Sequence, residues 1–230
     1  MDLLFGFVLC SYFENGIKKA LNEDGKKLET KEMKTKPLTF LLSLTFLFLF
    51  SGSSVVFGDD FQNGSDAYQR EDYKEAFRFF RLSAEQGHAQ AQYNLGVLYK
   101  KGRGIPQDYK QAFKWYQLAA DQKNVLAQHA LGVIYHDGNE GIVKDDKEAF
   151  KWYQLAAEQG LAEAQYIMGL MHDKGKGVPQ DYVLAHMWWN IAGSNGDKNA
   201  VTSKNTVEKD MTPQQIEKAQ EMARNWKPKK

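Results

Sequence analysis

Apolar residues between positions 61 and 200 recur at steps of three and four, which is the spacing of one face of an α-helix. The clearest pattern is a nine-residue segment that begins at Ala112 and returns unchanged at Ala149. Looser copies begin at Ala76 and Ala185, so successive copies lie 36, 37 and 36 residues apart. A helical pattern that returns with this period predicts an array of repeated helical hairpins.

Each repeat divides into two predicted helices. The first helix carries the pattern Ala91-x-x-x-Leu95-Gly96-x-x-Tyr99, whose small residues predict close approach of a neighbouring backbone. The second helix begins at an aspartate that can accept a backbone N–H of the open first turn. A glutamate or glutamine three residues later predicts a capping box in the first three repeats. The aspartates are Asp72, Asp108, Asp145 and Asp181, and the residues that follow are Glu75, Gln111 and Glu148.

The ends of the second helices are also marked. Gly87, Gly160 and Gly196 stand where a glycine can adopt the left-handed conformation that ends a helix. Lys123 occupies the equivalent position of the second repeat, and we expect a looser turn there.

A single hairpin of this kind cannot bury its own apolar face, so consecutive hairpins must stack on one another. We therefore predict an all-α fold of nine or ten helices, with residues 59–210 forming a solenoid of stacked helix-turn-helix repeats. Thr212 and Pro213 suit the cap and first turn of a further helix. Residues 211–230 are predicted to be a polar capping helix followed by a basic, solvated tail.

These patterns resemble the Sel1-like repeat family, which is related to the tetratricopeptide repeats. The resemblance rests on Ala-x-x-x-Leu-Gly-x-x-Tyr, Gly-x-Gly-Ile/Val-Pro-Gln-Asp-Tyr and Ala-x-x-Trp-Tyr-x-x-Ala-Ala, and covers about residues 61–200. It implies a right-handed α-solenoid with repeats of about 36 residues, and a scaffold role in protein complexes, often at bacterial envelopes. It implies no particular partner.

The first 58 residues follow another pattern. A basic start at Met33 precedes the apolar run Leu38–Phe50, small residues and the acidic pair Asp59 and Asp60. This is the layout of a secretory signal peptide, and the run is short for a membrane-spanning helix, which needs about 20 residues. We expect residues 33–58 to be a signal peptide that exports the protein to the periplasm or the exterior, and residues 1–32 to reflect a misassigned start site. The alternative is an uncleaved N-terminal segment that anchors the protein in a membrane.

Charge and composition narrow the class of partner. Lys and Arg total 30 and Asp and Glu total 29, a net charge of +1, so we expect no nucleic-acid partner, because phosphate contacts need a clustered basic surface. The single cysteine, Cys10, cannot form an internal disulfide. Hydrolase, phosphate-loop and zinc-protease motifs do not occur. We predict a protein that is not an enzyme and uses no cofactor or metal.

The predicted binding surface lies on the first helices, opposite the face that carries Ala91 and Leu95. By resemblance to tetratricopeptide repeats, this surface lines a concave groove suited to a peptide or helix of a partner protein. We expect Tyr93, His129 and Tyr166 to be exposed there, whereas Val97 could equally pack against a neighbouring helix, as could Val133 and Leu170. The predicted groove residues are Gln90, Tyr93, Val97, Lys101, His129, Val133, His136, Tyr166, Leu170 and Lys174.

Two alternatives come from other functional classes. The groove aromatics could bind cell-wall glycan. Some secreted members of the family are described as weak β-lactamases, but those are rich in cysteine and this chain is not. The sequence leaves the oligomeric state open.

Overall fold

The computed structural model describes residues 57–138 and 141–229. This part of the chain contains ten α-helices, one 3₁₀ turn at Glu208–Asp210 and no strand. Residues 33–56 of the predicted signal peptide, the N-terminal extension and Cys10 lie outside the described residues. The helices are α1 (Phe57–Gln69), α2 (Tyr73–Glu85), α3 (Ala89–Lys101), α4 (Tyr109–Asp121), α5 (Val125–Asp137), α6 (Asp146–Glu158), α7 (Ala162–Lys174), α8 (Tyr182–Ser194), α9 (Lys198–Val207) and α10 (Pro213–Asn225).

The helices form four hairpins that stack in chain order. From α1 to α9 each helix packs against the next, and α10 packs back on α8. Buried alanines and leucines of the odd-numbered helices meet larger side chains of the even-numbered ones, and the resulting core runs through all four hairpins. The predicted all-α solenoid of stacked helix-turn-helix repeats is confirmed.

The aspartate caps form as predicted, but the capping boxes do not. Asp108 accepts the backbone N–H of Gln111 at 2.9 Å, and the other three aspartates cap in the same way. Gln111 does not return a bond, because the backbone N–H of Asp108 donates to the carbonyl of Tyr99 at 3.0 Å. The prediction of capping boxes at Glu75, Gln111 and Glu148 was therefore wrong. A complete capping box occurs at Thr212 and Gln215.

Glycines in the first helix of each repeat make room for an aromatic ring of the second helix. A Cβ atom added at Gly96 would lie 2.7 Å from the ring of Tyr116, closer than real Cβ contacts come. The ring of the second helix thus packs against the bare backbone of its partner, and the carbonyl oxygen of Ala112 lies 3.3 Å from the same Cβ position, the close backbone approach that was expected. The pairs are Gly64 with Phe80, Gly96 with Tyr116, Gly132 with Tyr153 and Gly169 with Trp189.

The turn at Lys123 is as tight as the turns that contain glycine. Lys123 adopts a φ of 64°, and its N–H donates to the carbonyl of Ala120 at 2.9 Å. Gly87 makes the equivalent bond to Ala84 at 3.0 Å. The N–H of the next residue, Asn124, donates to the carbonyl of Ala119 at 3.0 Å. The expectation of a looser turn was wrong, because these two backbone hydrogen bonds hold the lysine at a positive φ.

A row of buried glutamines joins successive hairpins. Gln92 donates from Nε2 to the carbonyl of Ala84 in the preceding hairpin at 3.1 Å, and its Oε1 accepts from Gln122 at 2.8 Å. The same two bonds recur one and two repeats later, and sequence analysis did not identify them. The later sets are Gln128 with Ala120 and Gln159, and Gln165 with Ala157 and Asn195.

The basic tail folds back onto the solenoid. The ring of Trp226 meets that of Trp188 edge-on, with centroids 6.1 Å apart. Lys229 donates its backbone N–H to the carbonyl of Glu158 at 2.7 Å, and its Nζ lies 3.0 Å from the carboxylate of the same residue. The side chain of Lys229 is nevertheless 72% exposed, so the tail is both solvated, as expected, and bonded to α6.

Candidate binding groove

The predicted binding surface, here called the groove face, is formed by one side of α3, α5 and α7. On the opposite side of α3, Ala91, Leu95 and Leu98 are buried in the core. All ten predicted groove residues are half-buried or exposed, and Lys101 and Lys174 are the most open of them. The predicted residues are therefore less buried than the opposite side of these helices, but half of them also pack against core clusters. These are Tyr93, Val97, Val133, Tyr166 and Leu170.

The N-terminal end of the groove face holds a cleft of about 330 Å³ between α1, α2 and α3. Three predicted residues, Tyr93, Val97 and Lys101, line it. The remaining lining residues were not identified from the sequence, because they come from the hairpin before α3 or from a position of α3 without a repeated residue type. They are Ser65, Tyr68, Gln69, Phe80 and Asn94.

Two side chains of this cleft are fixed by neighbours. Tyr68 accepts a hydrogen bond from Arg103 at 2.8 Å, and that guanidinium lies over the ring of Tyr73. Tyr93 packs against Tyr116 with ring centroids 5.7 Å apart, and burial raises the pKa of its hydroxyl. The cleft therefore has rigid aromatic walls and a neutral phenol in its lining.

The C-terminal end of the groove face holds a second cleft of about 360 Å³ between α7, α8 and α9. Leu170 and Lys174 are the predicted residues that line it. Its other walls are mostly hydroxyl, amide and carboxylate groups. They include Asp173, Gln180, Tyr182, Thr202, Ser203, Thr206 and Asp210.

The middle of the groove face is more closed than predicted. The side chain of His129 is only 15% exposed, and its ring lies 5.5 Å from that of Tyr153. Its Nε2 is 3.8 Å from the carboxylate of Glu163, too long for a hydrogen bond. Burial lowers the pKa of His129, and Glu163 opposes this shift. The expected exposure was therefore wrong for His129.

Three other predicted residues form hydrogen bonds or ion pairs with neighbouring elements. His136 pairs with Asp146 at 2.9 Å between Nδ1 and Oδ1. Gln90 accepts from the side chain of Asn124 at 3.0 Å, which joins α3 to the cap of α5. Tyr166 is half-buried, and its carbonyl accepts from Trp189.

The three aliphatic groove residues pack toward the next hairpin while keeping part of their surface open. Val97 contacts the core cluster of α4 and α5. Val133 makes the equivalent contact with the core cluster one repeat later, and Leu170 with the cluster two repeats later. These residues are half-buried, so packing against the neighbouring repeat accounts for part of their apolar surface.

Two features do not occur among the described residues, namely a metal-binding cluster and a membrane-spanning helix. In that part of the chain, no three or more His, Cys, Asp or Glu side chains cluster in a way that could hold a metal ion. Over the same residues, no helix combines the length and the apolar character that a membrane crossing requires.

The hairpins coincide with a known repeat. Residues 61–88, 89–124, 125–161 and 162–197 each match the family model described as the Sel1 repeat. The chain belongs to the Sel1 repeat family. The four Sel1 repeats correspond to the hairpins α1–α2, α3–α4, α5–α6 and α7–α8, and Sel1 repeat proteins typically act as scaffolds for protein interactions.

Solved structures with Sel1 repeats are similar to this chain. A protective antigen of uropathogenic Escherichia coli strains, with an SLR fold, is 39% identical with a TM-score of 0.61 over 69% of this chain and 34% of that chain. A Sel1 repeat protein from Oxalobacter formigenes is 35% identical with a TM-score of 0.53 over 55% of this chain and 95% of that chain.

Curated relatives share a shorter segment. DAP3-binding cell death enhancer 1 of Rattus norvegicus and of Mus musculus is 39% identical over 44 residues, which is 19% of this chain. The match spans 9% of the length of those curated relatives.

Proposed function

We propose that this protein is a non-catalytic scaffold that binds a partner protein through a peptide or helix laid along the groove face. The observation that carries the proposal is the cleft at its N-terminal end. Tyr68 and Tyr93 supply aromatic surface with the buried Phe80 behind them, and Lys101 supplies a charge at the rim. Aromatic pockets with polar rims are the usual anchor points of protein interfaces.

The polar groups of the cleft support a peptide ligand in particular. Ser65, Gln69 and Asn94 line the same cavity as the aromatic rings. Such groups can bond the backbone of a bound segment while an apolar side chain of the ligand fills the cavity. An acidic residue next to that side chain would face Lys101.

The test uses a variant that blocks the cleft without opening a cavity in the core. Asn94→Arg places a long side chain in the cleft, and Lys101→Glu reverses the charge at its rim. We expect the double variant to lose the partner that wild type captures from native cell envelopes after crosslinking. Lys218→Glu, an exposed change on α10, serves as the matched control and should capture the same partner.

Circular dichroism of each variant keeps folding separate from binding. If the folded double variant captures the same partner as wild type, the groove face is not the binding surface. If wild type instead sediments with purified peptidoglycan, the ligand is cell-wall glycan and the proposal of a protein partner is wrong.

We also propose that the protein is exported. The support is the basic, apolar and small-residue pattern of residues 33–58. Cleavage after Gly58 would remove only the first two residues of α1 and leave Phe61, which packs against the core of the first hairpin. Mass analysis of the mature protein should place its N-terminus near Asp59, and retention of Met1 would contradict export with cleavage.

A further inference from the structure

The second helices of the first three repeats, α2, α4 and α6, carry one exposed leucine each. Leu82 is 37% exposed, Leu118 is 47% exposed and Leu155 is 43% exposed. Single exposed leucines are ordinary in proteins. These three occupy the same position of three consecutive repeats, and they are here called the leucine column.

Charged residues flank the leucine column on both sides in each of these three repeats. A basic residue precedes each leucine by four positions and an acidic residue follows it by three, so all three side chains share one face of their helix. The result is a basic column, the leucine column and an acidic column side by side. The basic column is Arg78, Lys114 and Lys151, and the acidic column is Glu85, Asp121 and Glu158.

In the fourth repeat, the equivalent face of α8 is covered by the C-terminal segment of the chain. There the basic residue is replaced by Met187 and the leucine by Ile191, and these are only 6% and 4% exposed. Met222, Ala223 and Trp226 of the C-terminal segment pack against the cluster that contains both. An amphipathic helix of this chain thus demonstrates one kind of segment that fits the face.

The C-terminal tail also forms an ion pair with one residue of the acidic column. Lys229 lies three residues after Trp226 and makes its ion pair and backbone bond with Glu158. Lys229, Leu155 and Glu158 line one pocket of about 210 Å³. The tail therefore runs from the covered face of α8 to the leucine and acid of α6, in the direction of the first repeats.

We propose that the leucine column and its charged flanks form a second docking surface, separate from the groove face. Its occupant is a segment of a partner protein that carries apolar or aromatic side chains followed by lysine, as Trp226 and Lys229 are arranged here. The apolar side chains cover Leu118 and Leu82, and the lysines pair with Asp121 and Glu85. Charges of both signs along the surface fix the direction in which the segment lies.

The test uses a labelled synthetic peptide with the sequence of residues 219–229, the full chain and fluorescence anisotropy. We expect saturable binding that weakens with added salt, because the paired charges are exposed. The variant Leu118→Gln with Asp121→Asn should weaken binding at least about fivefold, the effect of losing an exposed ion pair together with an apolar contact. Both positions are exposed, so the fold should persist, and circular dichroism checks this.

Two controls keep the surfaces apart. Asn94→Arg in the groove cleft should leave peptide binding unchanged. A peptide in which the lysine equivalent to Lys229 is glutamate should bind at least about fivefold more weakly than the parent peptide.

Three results would overturn the proposal. The first is an absence of saturable binding. The second is full binding by the Leu118→Gln and Asp121→Asn variant together with loss in Glu158→Gln, which would mean that the peptide only displaces the chain's own tail. The third is a concentration-dependent dimer in sedimentation that Leu118→Gln abolishes, which would assign the surface to a second copy of this chain.

Discussion

At single positions, the backbone of the repeat decides which side chains are tolerated. The aspartate caps were predictable because a cap bonds only to the turn that follows it. The absence of capping boxes in the repeats was not, because the N–H that Gln111 would accept already bonds to a carbonyl of the preceding helix. Lys123 was also misjudged, since its residue type gave no sign that neighbouring hydrogen bonds hold it at positive φ.

Replacing Lys123 by glycine should stabilise the protein. An L-residue at positive φ costs about 1–2 kcal/mol, and the extra freedom of glycine in the unfolded chain offsets about 0.4–1 kcal/mol of that. We expect Lys123→Gly to raise the free energy of unfolding by about 0.5–1 kcal/mol in urea titrations. Gly160→Lys is the reverse control, because space is open around Gly160, and it should destabilise by a similar amount.

His172 should make stability depend on pH. Burial lowers the pKa of His172 below 6.5, with Asp181 acting in the opposite direction. The unfolded chain therefore takes up a proton near pH 6.5 that the folded chain does not, so stability present above pH 6.5 is lost as the pH falls below it. Tyr99 fills the same repeat position and packs edge-on against Phe77, as His172 does against Phe150.

His172→Tyr is therefore expected to reduce the loss of thermal stability between pH 6.5 and pH 5. Melting temperatures of wild type and variant across that range measure the effect. A part of the loss should persist, because burial also lowers the pKa of His129. Parallel melting curves for the two proteins would contradict the role given to His172.

At the scale of helices, local signals and tertiary contacts contribute differently. The boundaries of the hairpins follow from caps, glycines and periodicity, which the sequence displays directly. The glutamines at the hairpin joints were missed because a polar residue on the core side of a helix reads as an interruption of the apolar pattern. Their bonds become evident only when the end of the preceding helix is placed beside them.

Removing one of these glutamines should be costly. Gln128→Leu leaves the carbonyl of Ala120 and the amide of Gln159 without their buried partner. We expect a loss of about 1–3 kcal/mol in the free energy of unfolding, the cost of unsatisfied buried polar groups. Gln117→Leu on the outer side of α4 is the control and should stay within about 0.5 kcal/mol of wild type.

At the scale of the whole array, stability depends on contacts between neighbouring repeats and on the C-terminal segment that covers, and so closes, the last repeat. The stacking of four hairpins was predictable from the period, and so was a terminal helix. The return of the tail to Glu158 was not, because that contact joins residues about 70 positions apart without any repeated pattern. The clefts at the two ends of the groove were missed for a similar reason, since each draws its walls from one hairpin and from the helix that follows it.

Weakening the contact between the C-terminal segment and α8 should destabilise the C-terminal end of the array first. Trp226→Ala removes a half-buried indole from its contact with Trp188, and we expect a loss of about 2 kcal/mol. Hydrogen exchange should quicken in α7 and α8 more than in α3 and α4, because each repeat is stabilised by its nearest neighbours. Lys227→Ala is the control in the same tail, and equal exchange rates in both regions would contradict this view of the closure.

The joint between hairpins has an evolutionary consequence. In the hydrogen bond from Gln92, only the glutamine supplies a side chain, and the atom it reaches in the preceding hairpin is a main-chain oxygen, which every amino acid possesses. A duplicated unit therefore carries its own connector and finds a suitable attachment on whichever unit comes before it. When such an array gains or loses a whole module by recombination, this bond therefore needs no compensating mutation in the adjoining module.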